Sequence, residues 1–163
     1  MQIQPIEHSS LYCLFAEDQR LEADGKSTVI GWMPDNAVIV IPPEGKVVIP
    51  RLSVIAILVI PLGTPAGELE FNLFMNETLV HASKMPRSQV EAVTTAPLTD
   101  DSGPLRAGMF RMAVAAQNLV ISEEGYLRVQ VVLGDIKLSS NGLKFALEPK
   151  AESPATDTNA IAN

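Results

Sequence analysis

The sequence predicts an all-β fold: a single-domain antiparallel β-sandwich of about eight strands, Ig-like or C2-like in general shape. Three observations point there. Apolar and polar residues alternate over short runs, as they do in strands with one face on a core and one in water. Val, Ile, Leu and Phe fill those runs. Turn residues then separate them, mostly at spacings of eight to fifteen residues.

Taken in order, "LYCLF" (11–15) is apolar on both faces, and so are "AVIVI" (37–41) and "VIAILVI" (54–60). Such runs are central strands or strands covered by a partner. A buried helix competes for 54–60, but Pro50 and Pro61 bound the run and its Val and Ile content favours a strand. After the first run, "EADGK" carries Asp24-Gly25, a hairpin signal, because both central residues of a type I′ turn need positive φ. "STVIG" follows and leads into Trp32, and "TLVHAS" is a further strand.

"LEFNLFM" (69–75) sets Leu69, Phe71, Leu73 and Met75 against Glu70 and Asn72. "LRVQVVL" (127–133) and "LKFAL" (143–147) repeat the alternation. The Ala and Met of "MFRMAVAAQNLVI" (109–121) suit a helix, yet Phe110, Met112 and Val114 alternate with Arg111 and Ala113, so the segment reads as a strand. Residues 85–108 read as irregular, with three prolines and two glycines. Loops of that length are functional or mobile.

The 163 residues fit one domain. The expected division is a flexible N-terminal segment (1–10), the sandwich (11–148) and a polar, disordered tail (149–163). Hydrophobic residues make up 47% and charged residues only 19%, so the surface is poor in charge. That balance points to an apolar patch covered by a protein partner or by a second copy, a homo-oligomer. Net charge is −7, and no two basic residues are adjacent. The linear sequence therefore shows no basic footprint of the kind nucleic-acid binding requires, and only a folded patch could gather Arg51, Arg87, Arg106, Arg111 and Arg128. The longest apolar stretch, 54–63, is too short for a membrane helix. "MQIQPIEHSS" has neither a basic n-region nor an apolar h-region, so a cytoplasmic protein is expected, with no membrane association. Without a secretion signal, the glycosylation pattern Asn76-Glu77-Thr78 reads as a chance match.

Reactive side chains are few. Glu17, Asp18, Glu22 and Asp24 crowd one stretch, but neighbouring carboxylates on a strand point to opposite faces. Asp24 belongs to the turn, and Glu22 and Lys26 flank it. Asp35, Asp100 and Asp101 are the candidates for a loop Ca²⁺ site, because Ca²⁺ gathers six to eight oxygen ligands. Their spacing lacks the regular ligand repeat of an EF-hand, and a solvated loop is the simpler reading. His8 falls in the N-terminal segment and His81 in a strand. With Cys13, the only cysteine, they offer little to a zinc site. Cys13 alternates with Leu11 and Phe15 and so reads as a core thiol. No nucleophile elbow and no phosphate-cradling glycine loop occurs. No catalytic residue and no cofactor is expected. Trp32 can anchor a core, which its large apolar area favours, or act as an exposed contact; in the second role it is the interaction candidate.

The stretch "AEDQRLEADGKSTVIGWMPDN" (16–36) resembles an uncharacterised family of small bacterial and phage-encoded proteins. The matching positions are Ala16-Glu17-Asp18, Arg20, Glu22, Gly25-Lys26, Ile30-Gly31 and Pro34-Asp35. "ISEEGYLRVQVVLGDIKL" (121–138) is similar to that family's closing hairpin, which begins at Gly125 and Tyr126. The resemblance implies a β-rich domain of phage or mobile-element origin and supplies no catalytic residues. The expected function is a non-catalytic protein-interaction or structural module. The alternative is a small-ligand or Ca²⁺-binding sandwich that uses the 97–108 loop with Asp35.

Overall fold

The computed structural model describes residues 8–23, 26–34, 37–43, 45–95, 99–100, 103–104 and 107–148. The chain runs β1 (Ser10–Leu21), β2 (Ser27–Met33), β3 (Val38–Ile41), β4 (Val47–Pro61), β5 (Leu69–Met75) and β6 (Thr78–Met85). It continues through α1 (Arg87–Thr95), β7 (Thr99–Asp100), β8 (Gly103–Pro104), β9 (Ala107–Ile121), β10 (Gly125–Leu133) and β11 (Ile136–Leu147). Two sheets pack face to face as an all-β sandwich, in the orders β2-β1-β4-β9 and β3-β11-β10-β5-β6, with β7-β8 as a separate two-residue ladder.

Alternation decides which side chains meet between the sheets. Along β4, Leu52, Val54, Ala56, Leu58 and Ile60 point into the core. They stand in register with Phe15, Cys13 and Leu11 of β1, and with Val114, Met112 and Phe110 of β9. From the second sheet come Leu69, Phe71 and Leu73 of β5, Leu127, Val129, Val131 and Leu133 of β10, and Leu143 and Phe145 of β11. Each fully buried side chain of this size contributes about 1.5–3 kcal/mol of transfer free energy. The 109–121 segment lies within β9, whose 15-residue length makes it, with β4, the longest strand described.

Two local features differ from the expectation. The second sheet is mixed, because β3 runs parallel to β11 and joins Ile39 to Phe145. Side-chain alternation fixes the face of a strand and carries no information about its neighbour's direction. The 85–108 segment holds helix α1, which its prolines had hidden. The Pro86 carbonyl accepts hydrogen bonds from the Gln89 and Val90 amides (3.0 and 3.3 Å) and starts the helix. Val90 and Thr94, four residues apart, are buried on one helical face. Val93 on the same side lies against Gly108 at the start of β9, so the helix closes one end of the core.

The β10–β11 ladder shifts register between Arg128 and Gln130. The Val129 amide, displaced from the ladder, donates to Ser140 Oγ at 3.0 Å. This bulge lies beside the pocket described below.

Candidate functional site

The outer faces of the two sheets differ in chemistry. On the second sheet, Lys84 Nζ lies 2.7 Å from Glu68 Oε1 and 2.6 Å from Glu70 Oε1, and Arg128 Nη2 lies 2.9 Å from Glu77 Oε1. The hydrogen bond from Lys84 holds the Glu70 carboxyl below its usual range, and the bonds to Glu68 and Glu70 raise the Lys84 ammonium well above its own. Between these ion pairs the same face carries Val38, Val40, Leu79 and Tyr126, each about half exposed.

The outer face of the first sheet sets large apolar side chains around Arg51 and Arg111. Its rows follow from the register: Ser10, Val59 and Met109; Tyr12, Ile57 and Arg111; Leu14, Ile55 and Ala113; and Trp32, Ala16, Ser53 and Ala115. Met109 is 65% exposed, Trp32 61% and Tyr12 60%. Trp32 is therefore no core anchor. Met33, next to it, packs on the core, so Trp32 must turn outward from edge strand β2.

A hairpin arm rises over this face. β1 pairs with β4 only as far as Ala16–Ser53, yet it stays paired with β2 as far as Leu21–Ser27. Arg111 of β9 nevertheless donates from Nη2 to Ser27 Oγ at 2.8 Å. Strands β9 and β2 are opposite edges of the sheet, three strand spacings or ~14 Å apart. Ser27 also pairs nine residues along β1 from Tyr12, which shares its row with Arg111; that adds ~30 Å in a flat sheet. An arginine cannot span that distance. The hairpin must leave the sheet near Ala16 and fold back across its outer face. The fold-back accounts for Ser53 and Ile55, which face outward yet are only 2% and 3% exposed.

The acidic stretch falls in this arm. Asp18 points outward to Arg51, with Nη2 2.8 Å from Oδ1, and receives Arg20 Nε on Oδ2 at 3.2 Å. Glu17 lies over Gly31, where a Cβ would come within 2.6 Å of its side chain. Gly31 has φ +64°, the left-handed region that favours glycine. Asp18 is thus tied to two arginines, and Glu17 does not join it. Glu22 and Lys26 meet through the backbone, amide to carbonyl at 2.8 Å; Asp24 and Gly25 lie outside the described residues.

Among the other candidates, Cys13 is buried in the core, and His8 and His81 are exposed and lie apart in the chain. Asp35 and Asp101 lie outside the described residues, and Asp100 is described only as backbone in β7. Among the described residues no group of three or more His, Cys, Asp or Glu is placed to hold a metal. No helix there is long and apolar enough to cross a membrane.

A second feature had no sequence signal. Asn76, Glu77, Tyr126, Arg128, Ser140 and Gly142 line a pocket of about 260 Å³ on the outer side of the second sheet. They come from the β5–β6 turn and from strands β10 and β11, so no local motif gathers them. Its chemistry is mixed, with one aromatic ring and an arginine already paired to Glu77.

No protein-family model, no curated protein and no solved structure matches this chain.

Proposed function

We propose that this chain is a non-catalytic protein-interaction module that offers the outer face of its first sheet to a protein partner. The observation that carries this reading is the set of large side chains that the first sheet leaves bare. Tyr12, Trp32 and Met109 are each 60% exposed or more, above every large apolar residue described on the outer face of the second sheet. Aromatic and Met side chains are the residues enriched at protein interfaces, and charged ones are depleted at their centres. The low overall charge content agrees with a face that is covered in use. Action in the cytoplasm and a phage or mobile-element origin complete the proposal, the second supported by the resemblance of residues 16–36 and 121–138.

The test is capture from the native host with three baits: the unmodified chain, Trp32→Ala, and a control altered on the charged face, Lys84→Gln. A partner retained by the first and third baits and lost from the second supports the reading. Equal capture by all three, or none by any, counts against it. Trp32 is exposed, so its loss should leave stability nearly unchanged, within ~0.5 kcal/mol. That keeps lost binding separate from lost folding.

A further inference from the structure

Among the described residues, strand β9 forms one edge of the first sheet and pairs only with β4. Roughly half of its residues turn their N–H and C=O groups away from β4, a template for another strand. The other edges are blunted. β2 has seven residues and is interrupted by Gly31 at φ +64°; β3 has four and runs into Pro42; β6 has eight, carries Lys84, and its partner β5 shifts register at Leu73. β9 has fifteen residues, no proline and no lysine, and its one irregularity, Asn118 at φ +51°, lies near its end. Residues 109–117, "MFRMAVAAQ", are left long and regular.

We infer that β9 pairs antiparallel with β9 of a second copy, joining two first sheets into one of eight strands. This goes beyond the interaction-module reading, because the contact is the sheet edge rather than the outer face and the partner is a second copy. The segment suits itself. A two-fold axis forces antiparallel pairing of the same strand with itself. The sole charge in β9 is Arg111. With the axis at Ala113, Arg111 faces Ala115 of the second copy; with the axis at Val114, it faces Gln117. In neither register do like charges meet, the arrangement that disfavours a strand pair. The exposed side chains at the centre, Ala113 and Ala115, are small and leave room for the approach. No carboxylate lies on β9, so the net charge of −7 is carried elsewhere.

Sedimentation of the full chain across the micromolar range tests the pairing, with Ala115→Lys and Ala115→Glu as variants. Ala115 is exposed and sits opposite or diagonal to Arg111 of the copy in both registers. The expected result is a dimer that Ala115→Lys weakens roughly tenfold, since the repulsion occurs twice per dimer, and that Ala115→Glu tightens. A monomer at every concentration overturns the inference, and so does a dimer that responds to both variants alike. Should a variant fail to fold, amide exchange of the unmodified chain reads the same edge. Protection over 109–117 that rises with concentration supports pairing, and exchange independent of concentration overturns it. A monomer that still holds a host protein through Trp32 overturns the pairing alone and leaves the module reading standing.

Discussion

Asn76 shows how much one residue can hold together. It sits at φ +52° in the β5–β6 turn, where its amide donates to the Tyr126 carbonyl at 2.9 Å. Its Oδ1 accepts from the Tyr126 amide at 3.0 Å, and its Nδ2 donates to the Glu124 carbonyl at 3.2 Å. The turn of one hairpin thereby brackets the first residues of β10. The bracket needs Gly125, at φ +153°, because a Cβ there would fall 1.8 Å from Asn76 Oδ1. Gly125→Ala should therefore cost roughly 1–3 kcal/mol, read as a lower urea midpoint with an unchanged slope. A midpoint equal to that of the unmodified chain would show that the bracket yields freely. The resemblance already placed Gly125 at the start of a hairpin. The sequence could not mark Asn76, whose partners lie about fifty residues away. Trp32 was illegible for a related reason. Its apolar area argues for burial anywhere, and only the outward parity of an edge strand decides otherwise.

At the scale of elements, the arm is the least anchored part of the first sheet. Beyond Ala16 it has no ladder to β4 and is pinned by Asp18 to Arg51 and by Ser27 to Arg111. Asp18→Asn removes the charge that both Arg20 and Arg51 address. Amide exchange over residues 27–33 should then quicken about three- to tenfold, while β4 and β9 exchange as before. An unchanged rate would mean that packing, not charge, holds the arm down. Most strands were legible because each carries its own alternation. The bend of the arm was not, since period two says which way a side chain faces and nothing about where a ladder stops. Helix α1 escaped notice because Val90, Val93 and Thr94 alone form its buried stripe, too few positions to stand out among the flanking prolines.

For the whole molecule, the Glu68–Lys84–Glu70 cluster gives stability a pH dependence that can be signed. Glu70 is depressed below its ordinary 4.5, so its contribution is present above that pH and is lost as pH falls through the lowered value. Lys84 is raised above its ordinary 10.5, so its contribution is complete below that pH and is lost only as pH climbs through the raised value. Lys84→Gln should therefore be slightly less stable than the unmodified chain at neutral pH. The gap should be small, because Lys84 is more than half exposed. It should close once pH drops well under 4.5. Thermal melts of both chains at a neutral and an acid pH check this, and a gap that widened in acid would contradict it.

The β4–β9 ladder also shapes how the protein is made. It joins Val47 to Ile121 and Pro61 to Ala107, so sheet closure must wait for segments far apart in the chain. On the ribosome, β1, β2 and β4 emerge well before β9, and the inward row from Leu52 to Ile60 must wait with one flank bare. Pairing over such separations is slow. The nascent chain, rather than the finished fold, is then the form most exposed to sticking to the wrong neighbour.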